Sequence, residues 1–115
     1  MIGIQTEKEL DMETVLIDTF LVPAAARSVF LTRARQMQSF IKTLPGFVEG
    51  FLYEPHNAES QHQFLTIAVW ESAAAFENAK QAVAVENQRQ GVNPQALNRQ
   101  LGVEFIRILY DRSPY

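Results

Sequence analysis

The chain has 115 residues, enough for one domain with its own core, since a domain of this size removes roughly two-thirds of its unfolded surface from water. It has no cysteine, which excludes disulfides, thiolate metal sites and a cysteine nucleophile, and fits a reducing cytoplasm. With a net charge of −3, no basic stripe and no apolar run near the ~20 residues of a membrane helix, neither nucleic acid nor membrane is expected as a partner.

Residues 1–13 are mixed and acidic, lack the basic start and apolar core of a signal peptide, and read as a loose leader. Residues 15–22 are β-rich and end at Pro23, which marks the first strand. Pro23 can open a helix, where its missing N–H costs nothing. Residues 24–44 contain no Gly or Pro, and Phe30, Ala34, Met37, Ile41 and Leu44 recur at steps of three and four. That spacing makes one apolar helical stripe, with Arg33, Arg35, Gln36 and Lys42 off it. Helix charges such as Arg33, Arg35 and Lys80 read as a solvated face. Pro45-Gly46 stops the helix.

Residues 47–54 form a second strand bounded by Pro55, 56–61 a polar loop, and 62–71 a third strand. Ser72 is the expected N-cap of a helix over 73–89, with Phe76, Ala79 and Val83 on one side and Gly91 at its end. Asn93-Pro94 caps and opens a short third helix reaching Leu101. Residues 103–111 form the last strand, and 112–115 a loose tail. The order β-α-β-β-α-β is the ferredoxin-like α+β arrangement, one domain over 14–111 with an antiparallel sheet.

Alternate residues of a strand face opposite sides. On the third strand Leu65, Ile67 and Val69 oppose Phe64, Thr66, Ala68 and Trp70, so both faces are largely apolar. The two main helices cover one face only. The uncovered set is expected to hold Phe20, Phe64, Trp70 and Phe105, with Phe51 and Tyr53. Each large apolar side chain gains ~1.5–3 kcal/mol on burial, and contiguous apolar patches mark interfaces or ligand grooves. A homodimer joined sheet to sheet follows as the expected solution, enclosing an aromatic-lined space for a small aromatic or hydrophobic molecule. A bulge in the second or fourth strand would invert its parity.

Asp18 lies mid-strand among apolar neighbours, where aspartate is disfavoured. If buried, its pKa should rise, which suits a general base near neutral pH; alternatively it lies near an edge or pairs with Arg107 across the sheet. Glu49 and Arg107 are strand-borne charges that either discourage edge aggregation or bind a polar substrate group. His56 and His62 lie in or beside the loop between the middle strands. No His/Asp/Glu cluster has metal-ligand spacing, so no metal is expected.

Pro45-Gly46-Phe47-Val48, Tyr53, and Val69-Trp70-Glu71-Ser72 with Phe76 resemble the antibiotic biosynthesis monooxygenase family, and Phe20-Leu21-Val22-Pro23 is similar to that family's end of strand one. The resemblance implies a dimeric α+β barrel and places Trp70 at a pocket-facing tryptophan. It also implies several activities: oxygenation of polyketide-type phenols or quinols with no metal or flavin, haem degradation, and action on small signalling molecules. Haem-degrading relatives carry an Asn near position 18 and a His on the second helix. Here Asp18 stands instead, and 73–89 contains no His, so that branch is disfavoured.

The sequence therefore points to a cofactor-independent monooxygenase, with Asp18 as base and Trp70 shaping the pocket. The expected substrate contacts are Phe20, Phe51, Tyr53, Phe64, Phe105 and Arg107. A non-catalytic dimeric ligand-binding module and an isomerase-like enzyme on a small metabolite are the alternatives.

Overall fold

The computed structural model describes residues 12–57 and 62–113. Strands β1 (Thr14–Leu21), β2 (Phe47–Tyr53), β3 (Gln63–Trp70) and β4 (Glu104–Asp111) form one antiparallel sheet in the order β2-β3-β1-β4. Helices α1 (Arg27–Ile41), α2 (Ala73–Gln90) and α3 (Pro94–Leu101) complete the ferredoxin-like α+β fold. Most of the expected leader (residues 1–11), part of the β2–β3 loop (58–61) and the last two residues lie outside the described residues. At their near edges, the Arg112 N–H donates to the Glu13 carbonyl at 3.1 Å.

Local chemistry sets most boundaries. Pro23 precedes a short 3-10 turn, Ala24–Ala26, so the α-helix itself begins at Arg27 rather than directly after the proline. At the other end Thr43 and Leu44 donate to the carbonyls three residues back, tightening the last turn before Pro45. Gly46 then takes φ +82°, and a Cβ there would run into the Ala75 side chain. Only glycine suits both the left-handed backbone and the close approach. Its carbonyl accepts from the Glu71 N–H at 2.8 Å, tying this turn to the β3–α2 junction. The Ser72 hydroxyl caps α2 by accepting from the Ala75 N–H at 3.1 Å, and Asn93 caps α3 through Ala96 at 3.0 Å.

The helices cover the face that carries Leu16, Asp18 and Phe20 of β1 with Ala68 and Trp70 of β3. This corrects the expected faces. Phe20, Phe64, Trp70 and Phe105 belong to the helix-covered side, whereas Phe51 and Tyr53, aligned with Ile67 and Leu65, belong to the other. The period of two groups residues by face but does not say which group meets the helices. Val48 is an extra residue between Phe47, opposite Trp70, and Glu49, opposite Val69. That bulge puts Phe47 under the helices and Phe51 outside them.

Two buried clusters fill the layer between sheet and helices. One gathers Val22, Phe30, Leu31 and Phe64 near the start of α1; the other gathers Ile41, Ala68, Trp70 and Phe76 near its end. The outer sheet face stays apolar without a helix over it: Ile106 is 67% exposed, with Leu21, Phe51, Tyr53, Ile108 and Tyr110 also exposed.

Candidate active site

Alternation along β3, β1 and β4 stacks the helix-facing residues in rows. Phe64, Phe20 and Phe105 align in one row, Thr66, Asp18 and Arg107 in the next, Ala68, Leu16 and Leu109 in a third, and Trp70 with Thr14 in the fourth. At ~3.3 Å per residue, the polar row lies ~13 Å along β3 from Trp70. Above this floor the three helices leave a cavity of about 370 Å³. Volumes of this order hold small molecules. The space exists because short side chains line it from three elements: Ala34 on α1, Ala79 on α2 and Ala68 on β3.

The polar row is built around an ion pair. Arg107 donates from Nε to Asp18 Oδ1 and from Nη2 to Asp18 Oδ2, both at 2.9 Å. This two-point fork is the strong geometry for guanidinium and carboxylate. Asp18 is 5% exposed, so without a partner its charge would be costly to hold. The cross-sheet pairing is thus the observed state of Asp18. Although β4 is an edge strand, Arg107 faces the cavity rather than guarding that edge. Its guanidinium also lies 5.9 Å from the Phe105 ring centre, and Phe105 stacks on Phe20 at 5.4 Å.

Trp70 closes the opposite end. It is 2% exposed and meets Phe47 edge to face at 5.5 Å. Its indole N–H has no acceptor, the one buried side-chain polar atom among the described residues without a hydrogen bond. A donor left unmatched in an apolar surround costs about 1–3 kcal/mol, which an oxygen atom on a bound molecule would recover.

Of the expected contacts, the structure brings Asp18, Trp70, Phe20, Phe105 and Arg107 to one cavity. Phe64 is fully buried beneath Phe30 at 5.1 Å and supports that wall from behind. Phe51 and Tyr53 stack on each other, centres 6.0 Å apart, on the outer sheet face. Arg33 and Lys80, expected in solvent, line the cavity. Their positions beside the apolar stripes were the only available signal, because residues flanking a stripe reach the edge of whatever it covers. Arg33 donates to Asn87 Oδ1 and Gln90 Oε1, both at 3.4 Å. Gln90 in turn donates at 2.6 Å to Glu86, whose carboxyl is held below its ordinary range chiefly by a hydrogen bond from Arg89. Glu49 and His56 are exposed, and no group of three His, Asp or Glu among the described residues could hold a metal ion.

Comparison with known proteins bears on the family and the fold. The antibiotic biosynthesis monooxygenase family matches residues 14–89, and the chain belongs to that family. No curated protein matches it. Among solved structures it is similar to SnoaB, a cofactor-independent oxygenase from Streptomyces nogalater, at 26% identity and TM-score 0.59, covering 90% of this chain and 96% of that one. A conserved protein from Methanosarcina mazei Go1 shares the fold at 10% identity and TM-score 0.71, covering 94% and 99%. A conserved protein from Bacteroides thetaiotaomicron VPI-5482 does so at 14% identity and TM-score 0.71, covering 89% and 99%. No helix among the described residues is long and apolar enough to cross a membrane.

Proposed function

We propose that this protein is a cofactor-independent monooxygenase whose substrate, an electron-rich phenol or quinol, lies in the cavity between sheet and helices. The observation that carries this reading is the cavity itself: mostly apolar, with one carboxylate in its lining and an unmatched indole N–H ~13 Å away along β3. Asp18 is that carboxylate. An ionised carboxylate has about four acceptor sites, and the Arg107 fork occupies two, so lone pairs remain for a phenolic proton. Loss of that proton makes the ring electron-rich enough to reduce dioxygen. At a ring methylene, one oxygen atom becomes the new carbonyl, the other leaves as water with the two methylene hydrogens, and the carbon supplies the electrons. Arg107 stabilises the developing phenolate, Phe20 and Phe105 hold the ring plane, and Trp70 donates to a substrate oxygen. The helices cover one side of the ring and limit water's access to the reacting anion from that side.

Oxygen uptake with a panel of anthrones and hydroquinones tests this reading. Turnover above the uncatalysed rate, lost in Asp18→Ala and reduced in Trp70→Phe, is the expected result. No turnover across the panel would refute it. A non-catalytic ligand-binding module is the second reading, favoured by the engagement of both Asp18 oxygens with Arg107; it predicts ligand-dependent thermal stabilisation with no chemical change in the ligand.

The same reading includes a homodimer. The outer sheet face presents Phe51, Tyr53, Ile106 and Ile108, and a second copy facing it would remove these side chains from water at ~1.5–3 kcal/mol each. The cavity lies on the other side of the sheet, so each subunit would hold its own site.

A further inference from the structure

We infer that the molecule bound in this cavity carries an anionic group, a carboxylate on a planar aromatic frame, and that Arg33 with the spare Nη1 of Arg107 receives it. The inference rests on the cavity being a substrate site and goes on to name the charge of the substrate. It starts from the charged groups in the lining, which are Asp18, Arg33, Lys80 and Arg107. Asp18 and Arg107 neutralise each other through two 2.9 Å hydrogen bonds. Lys80 has its own carboxylate, Glu77, at 3.4 Å near the rim. Arg33 has none: its partners are two neutral amide oxygens at the long distance of 3.4 Å, and it reaches Glu86 only through Gln90. The lining therefore carries one uncompensated positive charge, in a chain whose own net charge is −3. Overall composition does not explain a cationic cavity here; its local arrangement does.

Position strengthens the case. Phe30, one turn before Arg33, packs on Phe20 at 4.9 Å, which places this part of α1 over the aromatic row, next to the row of Asp18 and Arg107. Arg33 and Arg107 thus belong to one half of the cavity and Trp70 to the other. Arg107 spends Nε and Nη2 on Asp18 and keeps Nη1 unbonded among the described residues. Guanidinium groups are suited to planar carboxylates, and a partly desolvated cation gains more from an anion than an exposed one does. Phe20 and Phe105, stacked beside Arg107, supply the flat surface for a ring next to that anion.

Calorimetric titration of the intact protein with anthraquinone-2-carboxylate and with anthraquinone-2-carboxamide tests the inference, because the two probes differ in charge and little in shape. The carboxylate is expected to bind at least tenfold more tightly than the amide, and Arg33→Gln is expected to bring the carboxylate's affinity down to that of the amide. Equal affinities, a preference that survives Arg33→Gln, or no binding of either probe would overturn it. The outcome separates from the oxygenase reading. A carboxylate preference with no oxygen uptake would sustain the inference and sink the reaction, whereas turnover of neutral quinols with no such preference would do the reverse.

Discussion

Replacing Arg107 by Gln is the most exacting test of how the site is held. The substitution leaves Asp18 buried at 5% exposure with its carboxylate deprived of both 2.9 Å hydrogen bonds. Removing one partner of a fully buried pair costs ~3–5 kcal/mol, but the Arg107 side chain is 42% exposed, so water already screens one side of this pair. Discounting for that access gives ~2 kcal/mol, or a melting temperature roughly 8–10 °C lower for a domain of this length. Scanning calorimetry at fixed protein concentration on wild type, Arg107→Gln, Asp18→Asn and the double variant closes the cycle. The double variant should recover much of the loss, because an amide pair leaves no buried charge, and the coupling should exceed ~1 kcal/mol. A fall of under ~2 °C in Arg107→Gln, or strictly additive single effects, would show that Asp18 does not depend on this partner.

Trp70→Phe should change stability little, because the lost packing is offset by removal of an unmatched N–H worth about 1–3 kcal/mol, while probe affinity falls; a large loss of stability with binding intact would show a purely structural residue. Ala68→Leu should fill the middle of the cavity, keep or raise the melting temperature and abolish probe binding by calorimetry. Gly46→Ala should cost ~2–4 kcal/mol in urea unfolding, from left-handed strain and the clash with Ala75 together, and a neutral result would contradict the turn geometry. Ile106→Lys, on the outer face at 67% exposure, should convert the proposed dimer to a monomer in sedimentation runs; a wild-type protein that is already monomeric would remove the dimer from the reading.

The fold was legible because its punctuation is chemical and local. Ser72, Gly91 and Asn93-Pro94 each act within a few residues and start or end an element where expected, whereas α1 ends at Ile41, three residues short of Leu44, in the turn that leads into Pro45-Gly46. The site was legible in part. Asp18 stood out as a charge in an apolar strand, and its pairing with Arg107 was one of three readings the residues allowed. Which of them held depended on β4 lying beside β1 with those positions aligned, a long-range fact that no local signal carries. Arg33 and Lys80 were hidden for the opposite reason. On a helix, residues flanking the apolar stripe look the same whether they end in bulk water or over a cavity left by Ala34 and Ala79.

The misplaced faces lead to a physical distinction between the two sides of the sheet. Both are apolar, so greasiness alone cannot rank them, but their shapes differ. The helix-covered side sets smaller residues between large aromatics: Phe64 and Phe20 at one end, then Thr66 and Asp18, then Ala68 beside Leu16, and Trp70 at the other end. Side chains of such unequal size cannot fill a layer evenly under rigid helices, and the shortfall collects over the small residues as a cavity. Across β3, β1 and β4 the outer side carries Leu65 and Ile67, Val15 and Ile17, Ile106 and Ile108, branched residues of similar size that make an even middle, with the larger Phe51, Tyr53 and Tyr110 on the edge strands. An even apolar sheet face can pack against another sheet ~10 Å away, whereas a pitted one encloses a guest. Unequal side-chain size along alternate positions, rather than apolar content, is therefore what separates the face with the cavity, proposed to bind a small molecule, from the face proposed to meet a second copy. Making Ala68 large and Ile67 small should exchange those properties locally: probe binding is lost in Ala68→Leu, and dimer affinity falls in Ile67→Ala while probe binding persists. If Ile67→Ala weakens the probe as much as the dimer, the two faces do not act separately and side-chain size is not what divides them.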